Sequence, residues 1–170
     1  MNSHPGGQAH TQHMLDVAAL PLGARILDLG AGAGEAVATM RALGFEAEGI
    51  DLIPRSDLIR QGNLLHTDYS DSRFDAVFSQ CAFFVSGDAP QALREAHRLL
   101  KTGGILLLSD VFFDNPLQML RKAGFDPVLE EDLTPQWREY YLEALWRDDV
   151  LPCSLPAGKC RYCFITGRKY

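Results

Sequence analysis

A short apolar strand that runs into three alternating glycines is the feature that most constrains the fold of this chain. The segment Arg25–Leu29 has the composition of a buried strand and is followed by "GAGAG". The next residues, "EAVATMRALG", place apolar side chains at helical spacing and end on Gly44, a typical helix C-cap. A strand, a glycine loop and a helix in this order are typical of an α/β fold that binds a ligand at the carboxyl end of its first strand.

Strands and helices alternate along the rest of the chain. The further predicted strands are "EAEGIDL", "RQGNLL", "FDAVFSQ", "ILLLSDVFF", "DPVLEED" and "RYCFITGRK". The further predicted helices are residues 9–20, "APQALREAHRLLKTGG", "NPLQMLRKAGF" and residues 134–150 between the last two strands. Right-handed crossovers then give a doubly wound, mostly parallel sheet with helices on both faces, a three-layer sandwich. We expect residues 1–170 to form a single domain in which residues 1–8 are flexible.

Composition and charge restrict the partners of the chain. Of its 170 residues, 46% are hydrophobic and 22% are charged, and the formal net charge is −6. An acidic chain of this kind is not expected to bind nucleic acid. No apolar run is long enough to span a bilayer, and the N-terminus lacks the basic and apolar regions of a signal peptide. We therefore expect a cytoplasmic protein without a membrane partner, and the sequence leaves its oligomeric state open.

The spacing of the glycines indicates what kind of ligand the loop holds. A dinucleotide loop has the pattern G-x-G-x-x-G, but Glu35 stands where its third glycine would fall. A glutamate at the start of a helix repels a pyrophosphate, whereas Asp28, just before the loop, favours a cationic group. Asp51 ends the second predicted strand, where a carboxylate can accept hydrogen bonds from both hydroxyls of a ribose. A nucleoside that carries a cation, such as S-adenosylmethionine, has this outline.

Five segments in sequence order carry a resemblance to a known family. They are "LDLGAGAGE", "GIDL", "GNLL", "FDAVFSQ" and "LREAHRLLKTGGILLLSD", all within residues 20–112. As a set they resemble the successive motifs of the class I S-adenosylmethionine-dependent methyltransferases (methyltransferase type 11-like). The resemblance implies a Rossmann-like, seven-stranded sheet whose last strand is antiparallel and lies between the fifth and the sixth. It also implies S-adenosylmethionine as cofactor and S-adenosylhomocysteine as product.

The resemblance places the methionine end of the cofactor at the glycine loop. Asp28 and Gly30 match the positions around the methionine moiety, and Gly32 lets the backbone approach the cofactor. Gly34 completes the loop, and Gln80, at the fourth strand, matches a position that meets the methionine end. The alternative for the glycines is that they serve only turn geometry and close helix packing.

The resemblance places the ribose and the adenine at the ends of the second and third strands. Asp51 matches the ribose-binding acid, and Leu52 beside it would pack on the adenine. Asn63 stands where the family usually has aspartate, and its amide can still donate to and accept from adenine. Leu64 would form a second adenine wall. Two alternatives stay open: Asp51 as a strand-end acid or helix cap, and Asn63 as an ordinary turn residue.

Three cysteines are predicted to converge on the substrate side of the cofactor. Cys81 follows the fourth strand, Cys160 begins the last strand, and Cys153 lies in the loop that leads into it. Thiolates prefer soft partners, so these residues are candidate ligands for a soft substrate such as a metalloid or thiol compound, with some similarity to arsenite methyltransferases. The alternatives are a structural zinc site and, for Cys81, a role as a small core residue. No metal site is assigned.

The sequence therefore predicts an S-adenosylmethionine-dependent methyltransferase that acts on a small molecule. No general base is fixed by a motif, and the candidate catalytic residues are Cys81, Cys160 and His13. His13 is included because, in the family, the N-terminal segment often folds over the cofactor. One alternative is a regulatory or partner protein that binds the cofactor without catalysing a reaction. A second alternative, an NAD-dependent oxidoreductase, is disfavoured by Glu35 and by the glycine spacing.

Overall fold

The computed structural model describes residues 4–147 and 158–170. The helices are α1 (Gly7–Ala18), α2 (Glu35–Ala42), α3 (Ala89–Leu99), α4 (Pro116–Lys122) and α5 (Thr134–Trp146). The strands are β1 (Arg25–Leu29), β2 (Glu46–Asp51), β3 (Arg60–Gln61), β4 (Phe74–Gln80), β5 (Leu100–Phe112), β6 (Phe125–Asp132) and β7 (Arg161–Lys169). This order of elements agrees with the order predicted from the sequence.

The strands of the described residues form one seven-stranded sheet in the order β3-β2-β1-β4-β5-β7-β6. Strand β7 is antiparallel to β5 and β6, whereas the other neighbouring pairs are parallel. The Rossmann-like topology with an antiparallel last strand is thereby confirmed. Because β1 pairs with β2 on one side and with β4 on the other, the direction of winding reverses at β1, where ligand crevices open in such sheets.

Apolar side chains on both faces of the central strands hold the helices against the sheet. Successive residues of a strand point to opposite faces. Leu27 and Leu106 belong to the core cluster that includes side chains of α3 and α4. Ile26 and Leu107, their neighbours in sequence, belong to the cluster that includes side chains of α1 and α2. The sheet is therefore the middle layer of a three-layer sandwich, as predicted.

Two helices have boundaries that differ from the prediction. Helix α1 was expected over residues 9–20 but begins at Gly7 and ends at Ala18. Helix α3 was expected to continue to Gly103–Gly104, but it ends at Leu99, and Leu100 is already the first residue of β5 and pairs with Phe74 at the start of β4. Pairing with β4 therefore ends α3, and a left-handed residue, Ala19, ends α1.

The length and polarity of the helices can be compared with those of a membrane span. Within residues 4–147 and 158–170, no helix is long and apolar enough to cross a membrane. Helix α5 forms the first part of the helix predicted over residues 134–150, and residues 148–150 lie outside the described part of the chain. The cytoplasmic location and the single domain over residues 1–170 stay predictions.

Candidate functional site

A cavity of about 510 Å³ opens at the carboxyl ends of β1, β2 and β4. Its wall consists of the glycine loop, the residues that follow β2 and β4, the segment before α1 and one residue of α5. Asp28, Asp51 and Gln80, three of the predicted cofactor-binding residues, line it together with Gly30 and Gly32. Most of the residues predicted to hold the methionine end therefore lie at β1, the switch point where the direction of winding reverses.

The glycine loop has a backbone that only glycine adopts without strain. Gly30, Gly32 and Gly34 have φ angles of 83°, 55° and 85°, in the left-handed region. A Cβ atom on Gly30 would lie 2.2 Å from Cβ of Ala82, in the turn after β4. The loop is thus packed closely on that turn, and Gly30 and Gly32 belong to the cavity wall, whereas Gly34 does not.

Asp51 joins the glycine loop to the residues after β2. Its Oδ2 accepts a hydrogen bond from the Gly32 backbone N–H at 2.8 Å, and its Oδ1 accepts one from the Ile53 N–H at 2.9 Å. Each carboxylate oxygen has a further lone pair with which it can accept from a hydroxyl group. The side chain therefore fixes the loop and faces the cavity at the same time, which is the placement required for a ribose-binding acid.

Asp28 is buried at the base of the cavity, with 4% of its surface exposed. Burial, and in second place the nearby Asp51 carboxylate, raise the pKa of Asp28 to about 8. A cationic group in the cavity would offset both effects, because it favours the ionised carboxylate. The pair of acids therefore favours a ligand that carries positive charge.

The raised pKa of Asp28 predicts how the stability of the protein without ligand depends on pH. The folded state holds a proton on Asp28 up to about pH 8, whereas the unfolded chain releases it near 3.8, so this group lowers stability as pH rises between these values. Asp28→Asn cannot ionise, and its advantage over the wild type in free energy of unfolding should grow by at least about 2 kcal/mol from pH 5 to pH 9. Urea unfolding at the two pH values measures this. Equal pH dependence in both proteins would show that Asp28 ionises freely in the folded state.

Gln80 lies where predicted and connects the cavity to α1. Its side chain accepts a hydrogen bond from the Thr11 hydroxyl at 3.3 Å and donates one to Sδ of Met14 at 3.4 Å. The side chain also lines the cavity. The N-terminal helix is therefore anchored at the methionine side of the predicted cofactor site, and contact of Gln80 with the cofactor stays a prediction.

The predicted adenine residues lie outside the cavity wall. Leu52 is 63% exposed and borders a neighbouring surface hollow, whereas Ile53, the next residue, lines the cavity. Asn63 accepts a hydrogen bond from the Leu65 N–H at 2.9 Å and forms a turn, which also ends β3 earlier than predicted. Leu64 packs on the core beside α3. Their contact with adenine stays a prediction, and the turn at Asn63 agrees with the alternative stated for it.

The structure corrects the choice among the N-terminal histidines. His13, a predicted catalytic candidate, does not line the cavity, because its Nε2 pairs with Glu131 of β6 at 2.8 Å. His4 is buried and lines the cavity instead. This residue falls in the segment expected to be flexible, so its position depends on tertiary contacts that no local pattern in the sequence signals.

Two further charged residues at the cavity were not predicted as site residues. Glu35, at the first position of α2, lines the cavity and keeps a carboxylate at the place where a pyrophosphate would bind. Arg55 also lines the cavity, and its guanidinium lies against Gly32, since a Cβ there would be 2.4 Å from its Nη2. The position of Arg55 depends on the path of the chain after β2, which the sequence does not indicate.

The cysteines converge in part. Cys81 lines the cavity, and its Sγ lies 3.2 Å from the hydroxyl of Tyr162. Cys160 is buried in an aromatic cluster with Trp137 and Tyr162, against which Cys81 also packs. Cys153 lies outside the described residues. Within those residues, no three His, Cys, Asp or Glu side chains are grouped so that they could hold a metal ion.

Comparison with known proteins agrees with this geometry. Residues 27–108 match the family described as "Methyltransferase domain". An arsenite methyltransferase of Aquipseudomonas alcaligenes is 44% identical over 55 residues, which cover 32% of this chain and 16% of that protein. Phosphoethanolamine N-methyltransferase 3 of Arabidopsis thaliana is 27% identical over 172 aligned positions, covering 78% of this chain and 35% of that protein. The chain thus spans about a third or less of the length of these two curated relatives.

A solved structure shares the whole fold at low sequence identity. Phosphoethanolamine N-methyltransferase 2 of Haemonchus contortus, in complex with S-adenosyl-L-methionine, has a TM-score of 0.78 and 18% identity, and the match covers 98% of this chain and 53% of that one. The residues matched by the methyltransferase domain run from β1 into β5 and include the glycine loop, Asp51 and Gln80. Residues 27–108, just under half of the chain, therefore resemble a methyltransferase domain, and the solved structure shows the same fold around them.

Proposed function

We propose that this chain transfers a methyl group from S-adenosylmethionine to a small-molecule acceptor. The single observation that carries the proposal is the cavity at the switch point, in which the glycine loop lies with three carboxylates, Asp28, Glu35 and Asp51, and, among the described residues, only one guanidinium, that of Arg55. This combination favours a nucleoside with a positive charge. The net charge of −6 and the small-molecule acceptors named for the two relatives support an acceptor that is not a nucleic acid.

The chain's own residues bind and orient rather than react with the cofactor. Asp51 would hold the ribose hydroxyls, the glycine loop would allow close approach, and Asp28 would face the cationic end. When bound, S-adenosylmethionine supplies an activated methyl carbon and a neutral leaving group. His4 and Tyr141 also line the cavity and would help to exclude water while the acceptor is aligned.

Methyl transfer from isotope-labelled S-adenosylmethionine tests this proposal. The acceptor panel contains phosphoethanolamine, arsenite, 2-mercaptoethanol and extracts of small metabolites. Labelled product from at least one acceptor supports the enzyme. If the folded protein binds S-adenosylhomocysteine and labels no acceptor, the regulatory or partner protein that binds the cofactor without catalysis becomes the better account.

Soft acceptors, thiol or metalloid compounds, form the narrower acceptor class that we propose, with Cys81 in the wall of the cavity and Cys160 in the aromatic cluster against which Cys81 packs. The identity of 44% with an arsenite methyltransferase over 55 residues and the approach of Cys81 and Cys160 in one cluster support it. Cys160→Ala is expected to weaken arsenite binding at least about tenfold and to leave binding of S-adenosylhomocysteine unchanged, because Cys160 does not line the cofactor cavity.

Calorimetric titration of arsenite measures this effect. The matched control is Cys163→Ala, since Cys163 is buried within β7 in the cluster beside α3, whereas Cys160 precedes β7 and packs in the aromatic cluster. Unchanged arsenite binding by the Cys160→Ala protein would remove Cys160 from the acceptor site.

A further inference from the structure

A chain of hydrogen bonds runs from α1 to the cavity through the interior of the protein. Nε2 of His10 lies 2.9 Å from Oγ of Ser109, and the Ser109 hydroxyl donates to the Tyr162 hydroxyl at 3.1 Å. The Tyr162 oxygen lies 3.2 Å from Sγ of Cys81, in the cavity wall. We call these four residues the donor chain. They come from α1, β5, β7 and the turn after β4, so the fold, and no local motif, assembles them.

The position of Cys81 is held by an unusual backbone conformation. Its φ is 56°, in the left-handed region that residues with a Cβ rarely adopt, and its N–H donates to the Ser109 carbonyl at 2.9 Å. The turn that follows is fixed by the buried Asp110, whose Oδ2 accepts from the backbone N–H of Phe83 at 2.8 Å and of Phe84 at 3.2 Å. Strained residues persist where the surroundings over-determine them, and they cluster at functional sites.

The protonation states of the donor chain suit donation toward Cys81. Burial, with further contributions from Cys81 and Asp110, raises the pKa of Tyr162 well above its usual value, so Tyr162 keeps its proton. Burial lowers the pKa of His10 to about 4, with His4 and His13 acting in the same direction and Glu131 opposing them. Both residues are therefore neutral near pH 7. A hydroxyl that cannot ionise beside a sulfur atom is a stable hydrogen-bond donor to a thiolate.

We propose that Cys81 is the general base of the methyl transfer, and that His10, Ser109 and Tyr162 position its sulfur as a hydrogen-bond acceptor. This inference rests on the proposed function. The proton on the acceptor atom passes to the Cys81 thiolate, and the electron pair of that broken bond to hydrogen is available for the new bond to the methyl carbon. The electron pair of the broken carbon–sulfur bond stays on the departing thioether. The resulting thiol then returns its proton to water, which completes the balance.

A thiolate base selects a class of acceptor. Proton transfer is efficient when the two groups have similar acidity, and a cysteine thiol ordinarily titrates near about 8.5. Ammonium and thiol groups are close to this value, whereas aliphatic alcohols are far less acidic. Protonated amines and thiols, which carry a proton to be removed, are therefore the acceptors that Cys81 would serve. The arsenic atom of arsenite has a lone pair without a proton and does not need this base.

Tyr162→Phe tests the inference because it removes only the hydroxyl group and keeps the ring that stacks on Trp137. In single-turnover methyl transfer to phosphoethanolamine or 2-mercaptoethanol, we expect a rate loss of about tenfold for Tyr162→Phe and about 100-fold for Cys81→Ala. The pH at which the single-turnover rate is half-maximal should rise in Tyr162→Phe, because the Cys81 thiolate loses a hydrogen-bond donor. The affinity of Tyr162→Phe for S-adenosylhomocysteine should stay unchanged, because Tyr162 does not line the cofactor cavity. The matched control is Thr166→Val, since Thr166 is buried on the same strand and its hydroxyl has no hydrogen-bond partner among the described residues.

A second measurement needs no acceptor. The rate at which iodoacetamide alkylates Cys81, followed on its own peptide by mass spectrometry near neutral pH, should fall about tenfold in Tyr162→Phe and by a smaller factor in Ser109→Ala. If Cys81 is alkylated at the wild-type rate in both variants, the donor chain does not act on the sulfur of Cys81. If Cys81→Ala transfers methyl groups to phosphoethanolamine or 2-mercaptoethanol at the wild-type rate, Cys81 is not the general base. If S-adenosylhomocysteine binds but no acceptor is labelled, the proposed function fails, and the alkylation rates still decide whether the donor chain acts on Cys81.

Discussion

Asp51→Ala is expected to weaken binding of S-adenosylhomocysteine about 100-fold, because a hydrogen bond to a charged group contributes about 1.5–3 kcal/mol and Asp51 is proposed to accept from the ribose. The same carboxylate accepts from the backbone of Gly32 and Ile53, so the loop also loses its fixed geometry. Calorimetric titration of the variant measures the loss directly. Asp51→Asn should lose less affinity, since an amide oxygen still accepts one of these bonds.

Asp57→Ala provides the matched control for charge. Asp57 is exposed in the segment after β2 and borders the neighbouring hollow rather than the cavity. Its removal changes the net charge of the protein by the same amount and should leave the affinity within about twofold, as expected for a distant exposed charge. If Asp51→Ala binds S-adenosylhomocysteine as well as Asp57→Ala does, Asp51 has no role at the ribose.

Gly30→Ala is expected to lower the free energy of unfolding by about 2–5 kcal/mol, the sum of left-handed backbone strain and overpacking. Its Cβ would lie 2.2 Å from Cβ of Ala82, and neither atom is at the end of a flexible side chain. The backbone around Ala82 must therefore shift, which also displaces Cys81 from its position at the cavity. Urea unfolding measures the loss of stability.

Gly23→Ala separates the two causes of this loss. Gly23 has a similar φ of 77°, but no atom lies within 4 Å of the position that its Cβ would take. It should therefore cost only the backbone strain, about 1–2 kcal/mol. Equal destabilisation by the two substitutions would mean that the close packing of the glycine loop on the turn after β4 contributes nothing to stability.

The central strands could be predicted residue by residue because their sequence pattern is local and complete. The predicted limits of β1 and β4, Arg25–Leu29 and Phe74–Gln80, are those of the structure. Both strands lie in the middle of the sheet, so most of their residues are apolar on both faces, and each strand ends at turn-forming residues. The antiparallel position of β7 followed from the family resemblance, since no residue pattern in "RYCFITGRK" specifies which strands it pairs with.

The wall of the cavity could be predicted where it belongs to the ends of strands, and not where it comes from other segments. Asp28 and Asp51 lie at strand ends and were predicted. His4 reaches the cavity because α1 is anchored through Gln80, and His13 is drawn away by Glu131, more than a hundred residues along the chain. Contacts at such separations depend on packing that a single sequence does not reveal.

The donor chain is the clearest example of this limit. Cys81 was predicted as a candidate from its place after β4, but its partner Tyr162 lies on the last strand, inserted antiparallel beside β5. Ser109 is an ordinary polar residue within an apolar strand, and burial alone gives its hydroxyl a defined pair of neighbours. Only the pairing of β5 with β7 and the packing of α1 bring these groups together.

Titration calorimetry of the full chain with S-adenosylhomocysteine and with NAD tests most directly whether the cavity is a site for a sulfonium nucleoside. The glycine spacing, Glu35 at the cavity and the two buried or half-buried acids predict saturable binding of S-adenosylhomocysteine and no binding of NAD. Saturable binding of NAD, or a folded protein that does not bind S-adenosylhomocysteine, would contradict the proposed cofactor and the methyl transfer that depends on it.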